Sequence, residues 1–289
     1  MVLSIAPLSP VMAARIEGVH LRNALSDDLF DEIVAAFHRY HVLVFPDQDL
    51  SPEAHVAFSA RFGELHVSEE KKASGDANPY FTIFGNVDPL GDAFTPPSNA
   101  IDLQEWHSDH SHRPIQAMGS MLFGRVVPDV GGETWFANMH AAFDDLPDDL
   151  CRCIDGRLAV HTAAALIDYR AAVDPTATPL SAERRATMPE IVHPLVKIHP
   201  ISGRKALYFG SQIVDRIVGL TKEESRALIG DLTAHVGQDG FVYRHKWTKG
   251  DLLFWDNRSV AHTGTNYDRR RYGRLMQRTT ILNTAAARA

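Results

Sequence analysis

Apolar positions in this chain switch between two spacings, and the switch divides it into helices and strands. After Ser26-Asp27-Asp28, which offers an N-cap and an acidic first turn, Leu29, Ile33, Val34 and Phe37 recur at helical spacing. Ser51-Pro52-Glu53 opens a second amphipathic helix carrying Ala57, Phe58 and Phe62, and Thr221-Lys222-Glu223-Glu224 opens another with a capping box. Met139 to about Ile154 also reads as helical. Strands are expected at residues 11–22, in the apolar run ended by Pro46, and over Phe81–Val87 and Ala117–Val127. Glu133–Ala137 follows a Gly131-Gly132 turn, and Leu195–Ile198 with Ala206–Phe209 reads as a hairpin. Phe241–Trp247, Asp251–Trp255 and Arg274–Leu282 are late strands. Strands dominate the second half and helices flank them, so the pattern predicts a mainly β fold, a sandwiched antiparallel barrel with peripheral helices.

Two stretches lack either period. Residues 65–105, with scattered Lys, Gly and Pro, read as a long loop around one strand; because it leads into the candidate chemistry it is expected to act as a lid. Residues 163–190, rich in Ala, Pro and Thr, form a second irregular segment. No linker of Gly, Ser and Pro and no charge block divides the chain, so one domain is expected over residues 1–289.

Composition narrows the class. A chain of 289 residues, 45% hydrophobic and 22% charged, can bury a sizeable core. The net charge of -7 and the scattered basic residues give no electrostatic footprint for nucleic acid. Arg269-Arg270-Arg271 is read as a solvated turn. The start of the chain lacks the basic and apolar regions of a signal peptide, and no apolar run approaches the roughly 18 residues that span a bilayer, so no membrane partner is expected. Cys151 and Cys153 are too close for a plausible structural disulfide and have no zinc-type spacing, which fits a reducing cytoplasm.

The chemistry centres on Trp106-His107-Ser108-Asp109. On a strand, positions i and i+2 share a face, so an imidazole and a carboxylate would point together. Fifteen histidines make about one such triplet expected by chance, and the triplet alone decides nothing. A third donor is available in Trp255-Asp256-Asn257-Arg258-Ser259-Val260-Ala261-His262, where His262 follows a strand ending in Asp-Asn. Two imidazoles and one carboxylate suit non-haem Fe(II), because open positions remain for substrate and oxygen. Arg274 and Arg278 follow; on a strand they share a face with Met276, and arginines inside a barrel call for anions to meet them.

Together these pieces resemble the α-ketoglutarate-dependent taurine and dichlorophenoxyacetate dioxygenases (the TauD/TfdA family). The matching stretches are Arg61-Phe62-Gly63-Glu64-Leu65-His66, Trp106-His107-Ser108-Asp109, Gly131-Gly132-Glu133-Thr134, Trp255-Asp256-Asn257-Arg258 with His262, and Arg274-Leu275-Met276-Gln277-Arg278-Thr279-Thr280, in family order from about residue 15 to 282. The resemblance implies a double-stranded β-helix (jelly-roll, cupin-like) core. It implies His107, Asp109 and His262 as iron ligands, and Arg274 and Thr134 at the far carboxylate of 2-oxoglutarate (α-ketoglutarate). It further implies Arg278 near iron, holding the substrate's acidic group, and His66 at a substrate-pocket position. Fe(II), 2-oxoglutarate and O2 would then act together: oxidative decarboxylation to succinate and carbon dioxide yields an oxidant that takes hydrogen from a small or medium organic acid. Asp109 favours hydroxylation, since related halogenases lack the carboxylate. A homo-oligomer, dimer or tetramer, is implied by analogy.

Gly132–Leu150 and Phe241–His262 look more like the aryloxyalkanoate-type members than the taurine type. Hydroxylation beside an ether oxygen would give a hemiacetal that collapses; a sulfonate, sulfate ester or amino-acid derivative is the alternative substrate. The chain departs from the family at His112, where an aromatic is usual, and carries His110 beside Asp109. Both are read as surface groups ahead of substrate ligands, and Lys71 and Lys72 as a solvated pair ahead of an anion contact. A zinc hydrolase would use the same three donors with water as fourth ligand, but gives no role to Arg274 and Arg278. A non-catalytic jelly-roll binder has only the fold in its favour.

Overall fold

Strand β13 (Leu252–Asp256) shows how the layers arise. Leu252 and Phe254 face one way, into a cluster with helices α1 (Asp27–Tyr40) and α2 (Pro52–Ala60); Leu253 and Trp255 face the other, into the interior between two sheets. The same alternation runs through β3 (Val42–Phe45), β5 (Ala117–Val126) and β15 (Leu275–Leu282). In the computed structural model, which describes residues 3–68, 71, 78–88, 105–173 and 178–284, these strands belong to a seven-stranded sheet. With β1 (Ser4–Pro7), β2 (Ala14–Glu17) and β4 (Thr82–Gly85), its order is β1-β2-β3-β13-β5-β15-β4.

The facing sheet is β12-β6-β14, built from β6 (Thr134–Asn138), β12 (Val242–His245) and β14 (Val260–Gly264). Phe136 and Val260 meet Leu122, Leu253, Trp255 and Met276 of the large sheet in one buried cluster. The two sheets make the jelly-roll sandwich. Behind the small sheet, Ala137 and Ala261 pack on Leu228, Leu232 and Val236 of a long helix, Lys222–Val236, which begins with the expected capping box at Thr221 and Glu224. The hairpin of β9 (Val196–Ile198) and β10 (Lys205–Leu207) and the three strands β7 (Leu158–His161), β8 (Ile191–Pro194) and β11 (Val214–Ile217) complete this side.

Several expectations are corrected. Only Ala14–Glu17 of residues 11–22 is a strand. The helix expected from Met139 to Ile154 is two, α3 (Met139–Asp144) and α4 (Asp148–Ile154), because Pro147 lacks the N–H to continue a helix and biases its predecessor away from the helical region. The segment 163–190, expected to be irregular, holds α5 (Ala163–Val173) and α6 (Ala182–Ala186), and its alanines are good helix formers. Lys72 and much of the expected lid lie outside the described residues. Lys71 is not a solvated group: its ammonium donates to the Phe81 carbonyl at 2.8 Å.

Candidate active site

The triplet does not lie on a strand. His107 makes an isolated antiparallel bridge to His262 of β14, with N–H to carbonyl bonds of 3.1 and 2.9 Å in the two directions. The chain then turns, and His110 takes up a left-handed φ of 57°. Asp109 is held by side chains instead of a ladder. Its N–H donates to Asn257 Oδ1 at 3.0 Å, and Ser120 Oγ donates to its Oδ2 at 2.7 Å. Asn257 is itself fixed by the Trp255 indole at 3.1 Å and by its own bond to Ser120 Oγ at 3.0 Å. Arg278, on the inner face of β15, donates to Asp109 Oδ1.

One bridge and one turn thus bring two imidazoles and a carboxylate together. The donor atoms of His107, Asp109 and His262 all lie within 4.8 Å of one another. His107 Nδ1 bonds the Glu105 carbonyl at 3.0 Å, which puts the proton on Nδ1 and leaves Nε2 as a lone-pair donor. Burial, with His107 beside it, pushes His262 down to about 3, so its imidazole is neutral at neutral pH. Burial alone would raise the Asp109 carboxyl. The Arg278 guanidinium, with the Ser120 hydroxyl, outweighs it and holds the group ionised, well below the usual carboxylate range. A neutral imidazole at His262 and an ionised carboxylate at Asp109 are the protonation states a divalent cation needs.

Two of these donors, His107 and Asp109, border a cavity of about 630 Å³, lined also by Phe84, Glu105, Leu166, Arg170, Ile213 and Arg278. His110 and His112 line it too, against their expected surface placement. Burial pushes them down to about 3 and about 4 respectively. Arg269 likewise turns from the basic run toward this cavity. His66 does not border the cavity; its ring stands edge-on to His110, with centroids 4.6 Å apart.

Thr134 opens β6 at the end of the sandwich where β14 finishes with Gly264. Thr134 pairs with Gly264 across β6 and β14, and its buried hydroxyl accepts from the Trp247 indole at 3.0 Å. Arg274 immediately precedes β15, and its carbonyl accepts from the Asn86 N–H at 2.9 Å. Its guanidinium lies 5.9 Å from the Tyr267 ring centre. The Gly131-Gly132 turn lets this region close up: Gly131 has φ +76°, and a Cβ there would stand 2.4 Å from the Asn266 carbonyl oxygen.

Sequence reasoning missed Ser120, Trp247 and helix α5. Ser120 sits in an apolar run whose inward alternation was a usable signal; Trp247 and α5 carried none beyond their composition.

The family described as "Taurine catabolism dioxygenase TauD, TfdA family" matches residues 4–280. The chain belongs to this family. It is 37% identical, over 95% of its length and 96% of the relative's, to an α-ketoglutarate-dependent 2,4-dichlorophenoxyacetate dioxygenase of Cupriavidus pinatubonensis. It is 34% identical, over 91% and 90%, to an (S)-phenoxypropionate/α-ketoglutarate-dioxygenase of Sphingobium herbicidovorans. The crystal structure of AAD-2 in complex with Mn(II) and N-oxalylglycine superposes with a TM-score of 0.81 at 32% identity, covering 99% of this chain and all of that one. Membership of the TauD/TfdA family makes the protein a 2-oxoglutarate-dependent dioxygenase, and the relatives named act on small organic acids. No described helix is long and apolar enough to cross a membrane.

Proposed function

We propose that the protein is an Fe(II)-dependent hydroxylase of aryloxyalkanoate-type acids, with His107, Asp109 and His262 as its metal ligands. The observation that carries this reading is the convergence of the three donors within 4.8 Å beside an amphipathic cavity. Three protein ligands suit Fe(II) because they leave positions for a chelating keto acid and oxygen. The bound metal supplies the oxidising chemistry, coupling decarboxylation of 2-oxoglutarate to succinate with oxidation of a C–H bond.

The chain's own residues bind, orient and shield. Ser120 fixes the carboxylate of Asp109, Asn257 holds its backbone N–H, and the Glu105 carbonyl takes the His107 Nδ1 proton. Arg274 and Thr134 are assigned the far carboxylate of 2-oxoglutarate; the Trp247 indole orients the Thr134 hydroxyl toward that role. Arg278 is the cation for the substrate's acidic group, and His66 supports the pocket through His110. The residues of the expected lid, 65–105, exclude water, and the whole chain works as one domain. The exposed thiols of Cys151 and Cys153 favour the cytoplasm as its compartment, and family resemblance extends the proposal to a dimer or tetramer, which sedimentation measures.

The test is succinate formation by anaerobically iron-loaded protein, given oxygen and 2-oxoglutarate, across aryloxyalkanoates, sulfonates, sulfate esters and acylated amino acids. Succinate stimulated by aryloxyalkanoates above the other acids supports the reading. Bound Fe(II) and 2-oxoglutarate with no stimulation by any aryloxyalkanoate removes that substrate class.

A further inference from the structure

Helix α5 turns one face to the cavity. Leu166, Arg170 and Val173 line it, and spacings of four and three residues put them on one stripe. Two ties hold that face in place. The Tyr169 phenol donates to the Glu105 carboxylate, which also accepts from the Ser211 hydroxyl. Asp168 pairs with Arg185 of α6 at 2.5 Å. Glu105 is the residue whose carbonyl takes His107 Nδ1, so a single residue links the position of α5 to the orientation of an imidazole at the donor cluster.

Among the described residues, Arg170 and Arg278 share the lining with Glu105 and Asp109. Asp109 is taken by Arg278 and Ser120, and Glu105 by Tyr169 and Ser211. Neither carboxylate is directed at Arg170, which forms no ion pair among the described residues. Leu166 and Val173 flank it on the same stripe and, with Phe84 and Ile213, give the cavity its apolar wall. From Leu166 to Val173 the helix rises about 10 Å, roughly the length of a substituted aromatic acid.

We propose that α5 selects the substrate by the end remote from the metal site: Leu166 and Val173 seat an apolar body, and Arg170 takes an anionic group beyond it. The substrate class is an amphipathic acid with two anionic ends, one toward Arg278 and the other at Arg170. This rests on the dioxygenase reading of the same site.

The experiment separates the two. Phenoxyacetate and 4-carboxyphenoxyacetate are titrated calorimetrically into Fe(II)-loaded protein holding N-oxalylglycine under nitrogen, for the parent chain, Arg170→Gln and Arg170→Lys. Arg170→Gln is expected to weaken 4-carboxyphenoxyacetate roughly tenfold or more while leaving phenoxyacetate within about twofold, since a charge-assisted contact is lost for one acid alone. Arg170→Lys retains part of the preference. Equal weakening of both acids, no weakening of either, or failure of the parent to bind the dicarboxylate overturns the proposal. Succinate formation in air is scored separately. Discrimination in binding without substrate-stimulated succinate keeps the role of α5 and removes the dioxygenase reading of the acid site; stimulated succinate without discrimination does the reverse.

Discussion

Asp109 and Asp256 are both buried carboxylates, and each meets an arginine and a histidine, yet only one borders a cavity. Asp256 is fully enclosed. Arg258 grips it through Nε at 2.8 Å and Nη2 at 2.7 Å, its backbone N–H adds a bond of 2.9 Å, and His199 Nε2 lies 3.0 Å away. The protein satisfies every side of that carboxylate. Asp109 has Arg278 on one oxygen and Ser120 on the other, while His262 Nε2 stands off at 3.9 Å, too far for a hydrogen bond. Burial would raise either carboxyl, and in both cases the neighbouring cations outweigh it and keep the group ionised. Charge and burial therefore do not distinguish a structural carboxylate from a ligand. What does is a shell left incomplete toward open space, beside imidazoles whose lone pairs point the same way.

The comparison breaks most sharply at Asp109. Asp109→Ala is expected to reduce both retained metal and succinate formation to background, because two imidazoles alone leave the cation underheld. Metal content per chain and coupled turnover, measured on the same preparation, check this. A variant that kept stoichiometric metal would return Asp109 to the structural class. Asp256→Ala should do the opposite. It strands Arg258 in the core and is expected to lower unfolding stability by about 3–5 kcal/mol, the usual penalty for breaking a buried pair. The molecules that remain folded keep their succinate formation per bound metal. Chemical denaturation alongside turnover reads both, and unchanged stability would contradict the closed-shell account.

A smaller effect is expected one bond away. Ser120→Ala removes the hydroxyl shared by Asp109 and Asn257, and with it the group that aims the carboxylate. Loss of such a supporting hydrogen bond is worth roughly 10- to 100-fold in metal affinity. A competition titration with a chelator measures it; an affinity within about twofold of the parent would show that Arg278 and Asn257 alone orient Asp109.

This contrast also marks how far the sequence could be read. The elements with one strong period were legible: the capped helix of Ile33 and Phe37, the run Val42–Phe45, and the strands β13 and β15. The three donors were singled out by their motifs, and the structure brings them together. It does so by a route that periodicity cannot express, a single bridge and a left-handed turn at His110 in place of a strand. The inward position of Ser120 could be read from the alternation of β5, but the purpose of its hydroxyl emerges only once β5, the Asp109 turn and Asn257 are side by side. His110 and His112 look polar and exposed in a list of residues, and the cavity that buries them exists only in three dimensions. The helix α5 was mistaken for irregular chain because its apolar positions are weakly separated from its alanines, and its face matters through Glu105, more than fifty residues earlier in the chain.

The mildest test concerns the histidines behind Asp256. His41 caps α1 in the left-handed region at φ 61° and shares a hydrogen bond of 3.0 Å with Ser259. Burial pushes it down to about 4, against an opposing pull from Asp256. A base whose folded value lies below its unfolded value of about 6.5 binds more protons when unfolded. Its contribution to stability is therefore complete above pH 6.5 and is lost as pH falls toward 4. His41→Asn keeps a side chain that tolerates the left-handed backbone and removes the titration. Between pH 6.5 and 4 its stability curve is expected to be flatter than the parent's by at most one proton, about 1.4 kcal/mol per pH unit. Urea unfolding at half-unit steps measures the slopes. Parallel curves would mean that the pull of Asp256 on the His41 imidazole offsets its burial, so that it takes a proton as readily folded as unfolded.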